Sequence, residues 1–135
     1  MFQHILVTVA FDQDHDPSRA LATARSILGP KGRITVMHVM PSVPPFAIKY
    51  MPEGYDAELR DTVRGELDRL AESVPGGEGV LHDGDAATEI LAYAAGHGVD
   101  CIVIASHRPG MRDFLLGSTA SRVVRHAQCS VMVLR

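Results

Sequence analysis

Short, almost unbroken apolar runs alternate along this chain with longer stretches in which apolar residues return every three or four positions. The first run, His4-Ile5-Leu6-Val7-Thr8-Val9-Ala10, is nearly continuous and rich in β-branched residues. Its type and length predict a strand buried on both faces, as in a parallel sheet. Asp16-Pro17 then supplies an N-cap and a first-turn proline for a helix. Its apolar face is Ala20, Leu21, Ala24, Ile27 and Leu28, and Gly29-Pro30 stops it. A second strand is expected over 33–39. Residues 40–52 contain Pro41, Pro44, Pro45 and Pro52 and read as an irregular connection, of a length often tied to function. Phe46, Ile48, Tyr50 and Met51 lie within it and need cover.

Leu59, Val63, Leu67, Leu70 and Val74 recur at helical spacing, so a long amphipathic helix is predicted from about Glu53 to Val74, ended by Pro75-Gly76-Gly77. Glu78 to His82 is expected as a short edge strand. Gly84 permits a turn and Asp85 can cap the next helix, with Ile90, Leu91, Ala94 and Ala95 on its inner face and Gly96 and Gly98 at its end. Cys101-Ile102-Val103-Ile104-Ala105 forms a fourth strand and 106–117 a loop. A helix over Ser118 to Ala127 turns Val123, Val124 and Ala127 inward, and Ser130-Val131-Met132-Val133-Leu134 is the last strand. Strands alternating with helices imply a parallel sheet covered on both faces. In such sheets ligands sit beyond the carboxyl ends of the strands, where strand order reverses. If the first and fourth strands are neighbours, the residues after Ala10 and after Ala105 share one crevice.

Composition narrows the class without changing this picture. One domain over 1–135 is expected from the length. The hydrophobic share of 46% and charged share of 21% are those of a globular domain. No run of about 18 apolar residues occurs, so no membrane span is expected. The first residues, Met1-Phe2-Gln3-His4, carry no basic leader or cleavage site, and two cysteines are too few for a disulfide framework. A cytoplasmic protein is the expectation. The net charge of −3 argues against a general nucleic-acid binder. Its distribution is uneven: residues 1–100 carry eight Lys/Arg against fifteen Asp/Glu, whereas Arg108, Arg112, Arg122, Arg125 and Arg135 face only Asp113 beyond residue 100. The basic end is either a local anion site or a set of arginines offsetting helix dipoles.

Candidate chemistry gathers after the fourth strand. Ala105-Ser106-His107-Arg108-Pro109-Gly110 is followed by Leu115-Leu116-Gly117-Ser118-Thr119, a strand, loop and helix start in that order. Helix starts present free N–H groups and a partial positive charge, which suit phosphate. Gly117 allows close backbone approach, Ser118 and Thr119 offer hydroxyls, and Arg108 and Arg112 offer cationic donors. The plainer alternative is that Gly117-Ser118 is only a turn and an N-cap. Asp12, Asp14 and Asp16 have calcium-loop spacing, but Pro17 and Thr23 stand where Gly and Glu are required, which excludes that site. The seven histidines have no metal-ligand spacing, and His38 reads as a satisfied core or sheet-end residue. Cys101 and Cys129 read as small buried hydrophobes. There is no nucleophile elbow, P-loop or dinucleotide fingerprint.

Ser106-His107, the Leu-Leu-Gly-Ser run at 115–118 and the ending Cys129-Ser130-Val131-Met132-Val133-Leu134-Arg135 resemble the signature of the universal stress protein (UspA-like) family. So do Val9-Ala10-Phe11-Asp12, His38-Val39 and Gly84-Asp85. In nucleotide-binding members the signature runs Gly-x-x-Gly, nine residues, then Gly-Ser or Gly-Thr. Here Ala105 and Arg108 replace the two glycines and only eight residues separate Arg108 from Gly117, a form similar to a short bacterial Ser-His-Arg-Pro subgroup.

The resemblance implies a three-layer α/β/α fold, Rossmann-like and adenine nucleotide alpha hydrolase-like, with a five-stranded parallel sheet in the order 3-2-1-4-5. It also implies an ATP-binding stress-response or signalling module with little or no turnover. Asp12, beside Ala10 and Phe11, would hold the ribose or adenine side, and the Val39 backbone the adenine. Ile104 and Ala105 lead into Ser106 and His107 along the phosphate loop, and Gly117, Ser118 and Thr119 grip the phosphates. Asp12 read without the resemblance is a solvated loop acid. Arg108 either contacts phosphate or fills its space. AMP and ADP are alternative ligands, and magnesium would be held mainly through the phosphates. The family forms dimers, often through last strands, which suits Ser130-Leu134. A weak nucleotide hydrolase using His107 and Arg108, or a dimeric module that has lost nucleotide binding, is the alternative function. A receiver domain is disfavoured because no Lys follows the last strand, and a flavodoxin-like reading would need a flavin spectrum.

Overall fold

A computed structural model describes residues 1–11, 16–106 and 116–135. Its elements are β1 (Phe2–Thr8), α1 (Pro17–Ile27), β2 (Leu28–Met40), α2 (Pro45–Ile48), α3 (Tyr55–Glu72), β3 (Glu78–Asp83), α4 (Ala86–Gly96), β4 (Cys101–Ala105), α5 (Ser118–His126) and β5 (Ser130–Leu134). All four strand pairings are parallel and the order is β3-β2-β1-β4-β5. The chain runs outward from β1 to β3 on one side, then crosses back to β4 and β5 on the other. The switch point therefore lies between β1 and β4, as the expected order requires.

The alternating side chains of the central strands divide the core into two layers. Ile5, Val7, Ile34, Val36, Cys101 and Val103 face one side, where Leu21 and Ala24 of α1 and Val63, Leu67 and Leu70 of α3 cover them. Leu6, Met37, Ile102 and Ile104 face the other, against Ile90, Tyr93 and Ala94 of α4 and Ala120 and Val123 of α5. Burial on both faces accounts for the unbroken apolar runs of β1 and β4. The helix faces follow the periodicity except at their margins. Val124 and Ala95, expected inward, are exposed, and Leu59 at the start of the α3 stripe is 39% exposed.

Several boundaries differ from expectation. The first strand, expected over His4–Ala10, is β1 Phe2–Thr8, and beyond it the Val9 N–H still donates to the Met37 carbonyl at 2.9 Å. The second strand begins at Leu28 and not at 33: Phe2 pairs Leu28 and His4 pairs Arg33, so a bulge absorbs the intervening residues. Gly29 and Gly32 fit there because a Cβ at either would lie within about 3 Å of the Phe2 carbonyl (3.1 and 3.0 Å). α3 begins at Tyr55, since Gly54 adopts φ 81°, a left-handed conformation that ends the preceding turn. Within 40–52, expected to be irregular throughout, Pro45 opens the single turn of α2.

Candidate functional site

The end of β4 and the start of α5 meet at a buried seam. The Ser106 N–H donates to the Leu134 carbonyl at 2.9 Å, extending the β4–β5 ladder by one step. Ile104 faces the α4–α5 layer, whereas Ala105 lines a cavity on the opposite side. Ser106 is 6% exposed, and its Oγ has no hydrogen-bond partner among the described residues. A buried hydroxyl without a partner costs free energy and is uncommon, so it calls for a reason. A Cβ on Gly117 would lie 3.5 Å from the Ser106 carbonyl, which brings the α5 start against this residue.

Gly117 occupies the N-cap of α5 and Ser118 the first helical position, so the expected Ser118 cap is not formed. No side chain among the described residues caps this end, and the first intrahelical bond is Ser121 N–H to the Gly117 carbonyl at 2.9 Å. The N–H groups of Ser118, Thr119 and Ala120 thus precede the internal ladder and face outward from the helix end. Gly117 has φ −62° and ψ 157°, open to any residue, and the 3.5 Å contact is an ordinary one. Neither backbone conformation nor packing among the described residues demands glycine here. Space for something approaching the helix end is a remaining reason for it.

α1 and α4 begin differently. Asp16 caps α1 by accepting from the Ser18 N–H at 3.0 Å, and that bond holds its carboxyl below the usual range. Asp85 caps α4, accepting from the Thr88 N–H at 3.0 Å and hydroxyl at 2.6 Å and from Arg122 Nη1 at 2.7 Å. Thr88 first, then Arg122, pull its carboxyl down to about 2. Arg122 also donates to the Thr88 hydroxyl at 3.2 Å, tying α5 to the start of α4. Two of the arginines in the basic C-terminal segment therefore have structural duties: Arg122 braces two helices, and Arg125 lies in the last turn of α5, where its charge suits the dipole.

A cavity lies at the switch point between β1 and β4, but of the described residues named from sequence only Ala10 and Ala105 line it; Phe11, Val39, Ile104, Ser106, Gly117, Ser118 and Thr119 do not. The cavity, of about 180 Å³, opens beyond the carboxyl ends of β1 and β4, lined by Val9, Ala10, Asp16, Pro17, Arg19 and Ala105, with Thr8, Ala20, Leu134 and Arg135 completing its wall. Arg19 of α1 donates to the Arg135 carbonyl across it. Ala10 and Ala105, named from sequence, meet here. Arg19 and Arg135 were missed, because only the β1–β4–β5 neighbourhood brings them to the same opening. Val39 lies at the adjacent end of β2, half-buried, and Phe11 packs edge-on against His38 at 5.1 Å. His38 Nδ1 contacts the Val9 carbonyl at 2.8 Å, the sheet-end role expected of it. Asp12, His107, Arg108 and Arg112 lie outside the described residues. A larger cavity, about 330 Å³, lies at the opposite end of the sheet among Leu91, Ala94, Val99, His126 and Cys129.

Among the described residues no group of three or more His, Cys, Asp or Glu side chains could hold a metal. Cys101 is buried and its thiol is pushed up to about 11 by desolvation, and burial also raises Cys129, so neither is an activated nucleophile. No helix is long and apolar enough to cross a membrane among the described residues.

A family model described as the universal stress protein family matches residues 1–135. The chain belongs to the universal stress protein family. Universal stress protein YxiE of Bacillus subtilis is 31% identical over 97 residues, an alignment spanning 65% of this chain and 66% of that protein, just under two thirds of its length. Among solved universal stress protein structures, UspA from Lactobacillus plantarum is 26% identical with a TM-score of 0.72, covering 98% of this chain and 97% of its own. Two more share the fold at TM-scores of 0.59: one in complex with cAMP, 20% identical, covering 99% and 97% of the two chains. The other, from Archaeoglobus fulgidus, is in complex with dAMP, 21% identical, covering 98% of each chain.

Proposed function

We propose that this universal stress protein domain, residues 1–135, binds an adenine nucleotide in the β1–β4 crevice, with its phosphates at the start of α5. The carrying observation is the Ser106 Oγ, buried without a partner among the described residues, beside a helix start that none of those residues caps and whose N-cap glycine none of them requires. An anionic oxygen there would accept from both the hydroxyl and the helix N–H groups. The cAMP and dAMP complexes of the two relatives favour an adenine ligand. In this reading Ser106, Gly117, Ser118 and Thr119 hold phosphate, and Ala10, Phe11 and Val39 line the nucleoside side. By resemblance, Asp12 meets the ribose and His107 and Arg108 complete the phosphate loop. ATP is the preferred ligand, with magnesium carried on its phosphates.

The proposed role is a binding and signalling module of the cytoplasm with little or no turnover; the two reduced thiols suit that compartment. Homodimer formation would use the open edge of β5, which pairs only β4 and leaves Met132 38% exposed. Calorimetric titration with ATP, ADP, AMP and cAMP tests the proposal. Saturable binding of at least one supports it. Absence of binding at millimolar concentration refutes it and leaves the dimeric interaction module. Steady-state phosphate release, compared before and after substituting His107, separates binder from hydrolase.

A further inference from the structure

We infer that α2 and the start of α3 form a docking surface for a basic amphipathic helix of another protein. Residues 41–50 are exposed except at Ala47, and α2 buries none of its side chains. Phe46 is 73% exposed, Ile48 56%, Tyr50 78% and Tyr55 49%. These apolar groups need cover, and the fold supplies none. The segment is folded nonetheless. Ala47 N–H donates to the Pro44 carbonyl at 2.9 Å, and Tyr50 to Ala47, Met51 to Ile48 and Tyr55 to Pro52 at 3.1 Å. Turns closed in this way hold Ile48 to Met51, and Pro52 to Tyr55, within about 7 Å each. Phe46 and Tyr50 stand four residues apart through α2 and its closing turn, and Tyr55 and Leu59 four apart on α3. Two short apolar stripes therefore follow one another across a compact connection.

Area and charge choose the occupant. A buried aromatic side chain covers about 150–250 Å², so Phe46 and Tyr50 each expose more than about 100 Å², and the patch is on the order of 400–500 Å². A lasting dimer takes about 800 Å² from each partner, roughly twice this patch, whereas one apolar helix face fits it. Carboxylates rim the surface. Asp56 and Glu58 flank the Tyr55–Leu59 stripe on its two sides, at about 100° per residue around α3. Glu53 lies in the turn between the stripes. None of these three forms an ion pair among the described residues. The neighbouring cations are engaged: Arg60 with Asp83, and Lys49 over the Tyr50 ring at 5.2 Å. A second copy docked by the same face would set two acidic rims against each other, and an anionic membrane would meet the same repulsion. A helix with apolar residues at i, i+3, i+4 and i+7 and Lys or Arg beside them matches both area and charge.

The test uses a fluorescently labelled synthetic peptide of Leu and Lys in helical period, about five turns long, with a Leu/Glu peptide of the same pattern beside it. Anisotropy titrations should show saturable binding of the Leu/Lys peptide alone. Phe46→Ala and Tyr50→Ala should each weaken it about tenfold, as central aromatic anchors do. Glu58→Gln should weaken it about twofold to fivefold, an effect that added salt removes. Val124→Ala, which trims a comparably exposed apolar group on α5, should leave affinity unchanged. Thermal unfolding of the Phe46 and Tyr50 variants should match the parent, because neither side chain is buried. No binding of the Leu/Lys peptide at about 1 mM, equal binding of the Leu/Glu peptide, or equal losses in Val124→Ala and Phe46→Ala overturn the inference. So does a dimer in sedimentation that Phe46→Ala abolishes, which assigns the patch to a second copy. Phe46-dependent binding to phosphatidylcholine vesicles without peptide binding overturns it in favour of a membrane.

Discussion

Ser106→Ala moves stability and binding in opposite directions, which makes it a demanding test of the site. In the free protein the Ser106 Oγ is buried and has no partner among the described residues. Leaving a buried donor unsatisfied costs about 1–3 kcal/mol, part of which returns when the hydroxyl is deleted. Alanine keeps the backbone N–H bond to the Leu134 carbonyl, so the β4–β5 ladder is preserved. Removing the hydroxyl also leaves a small void, which takes back a fraction of the gain. A net stabilisation of about 1 kcal/mol is expected, or a rise of about 4 °C in Tm for a chain of this size. The same deletion removes a donor to a charged phosphate, worth about 1.5–3 kcal/mol, so the nucleotide Kd rises about tenfold or more. Thermal unfolding without and with excess nucleotide reads both effects, since a tenfold weaker ligand stabilises the fold by about 1.4 kcal/mol less. A variant that melts below the parent and binds nucleotide equally well would refute the reasoning: the hydroxyl would then have a partner in the free protein and no role in the ligand.

Gly77→Ala places a Cβ 1.7 Å from the Ala71 carbonyl oxygen, backbone that cannot step aside without unwinding the end of α3; a loss of about 3 kcal/mol in urea unfolding is expected. His4 is 4% exposed, with Nδ1 3.0 Å from the His97 carbonyl and Nε2 2.8 Å from Thr35 Oγ1, and desolvation lowers its pKa below 6.5. Stability is therefore complete above pH 6.5 and declines as pH falls from 6.5 through the folded value, at no more than about 1.4 kcal/mol per pH unit; denaturant titrations from pH 8 to 5 should show this slope in the parent and lose it in His4→Gln. Met132→Lys puts a charge on the open edge of β5, so a dimer formed by that edge should become monomeric in sedimentation while the monomer keeps its fold.

Wherever one local rule governs a segment, the sequence was a sound guide. β4 and β5 have the expected bounds because their apolar runs are cut off sharply on each side. Asp16 and Asp85 cap the helices they precede because their side chains reach the next turn directly. Legibility fails where a distant segment decides. Gly29-Pro30 is a helix stop by composition, yet Phe2 recruits Leu28 into the sheet. Ser118 is a favourable cap by type, yet the chain enters α5 one residue earlier. The orphaned Ser106 hydroxyl and the Arg19–Arg135 contact depend on three strands and a helix being neighbours, which no window of sequence contains.

The end of β5 does more than close the sheet. Its last carbonyls are tied inward, Leu134 to Ser106 and Arg135 to Arg19, while the strand's outer edge stays open. One strand is thus a wall of the cavity and the sheet's free margin together. A second chain that stiffened this edge would change the cost of fitting a ligand behind it, and the ligand would return the same free energy to the pairing. Assembly and occupancy would then be two readings of one equilibrium, visible as a nucleotide affinity that depends on protein concentration.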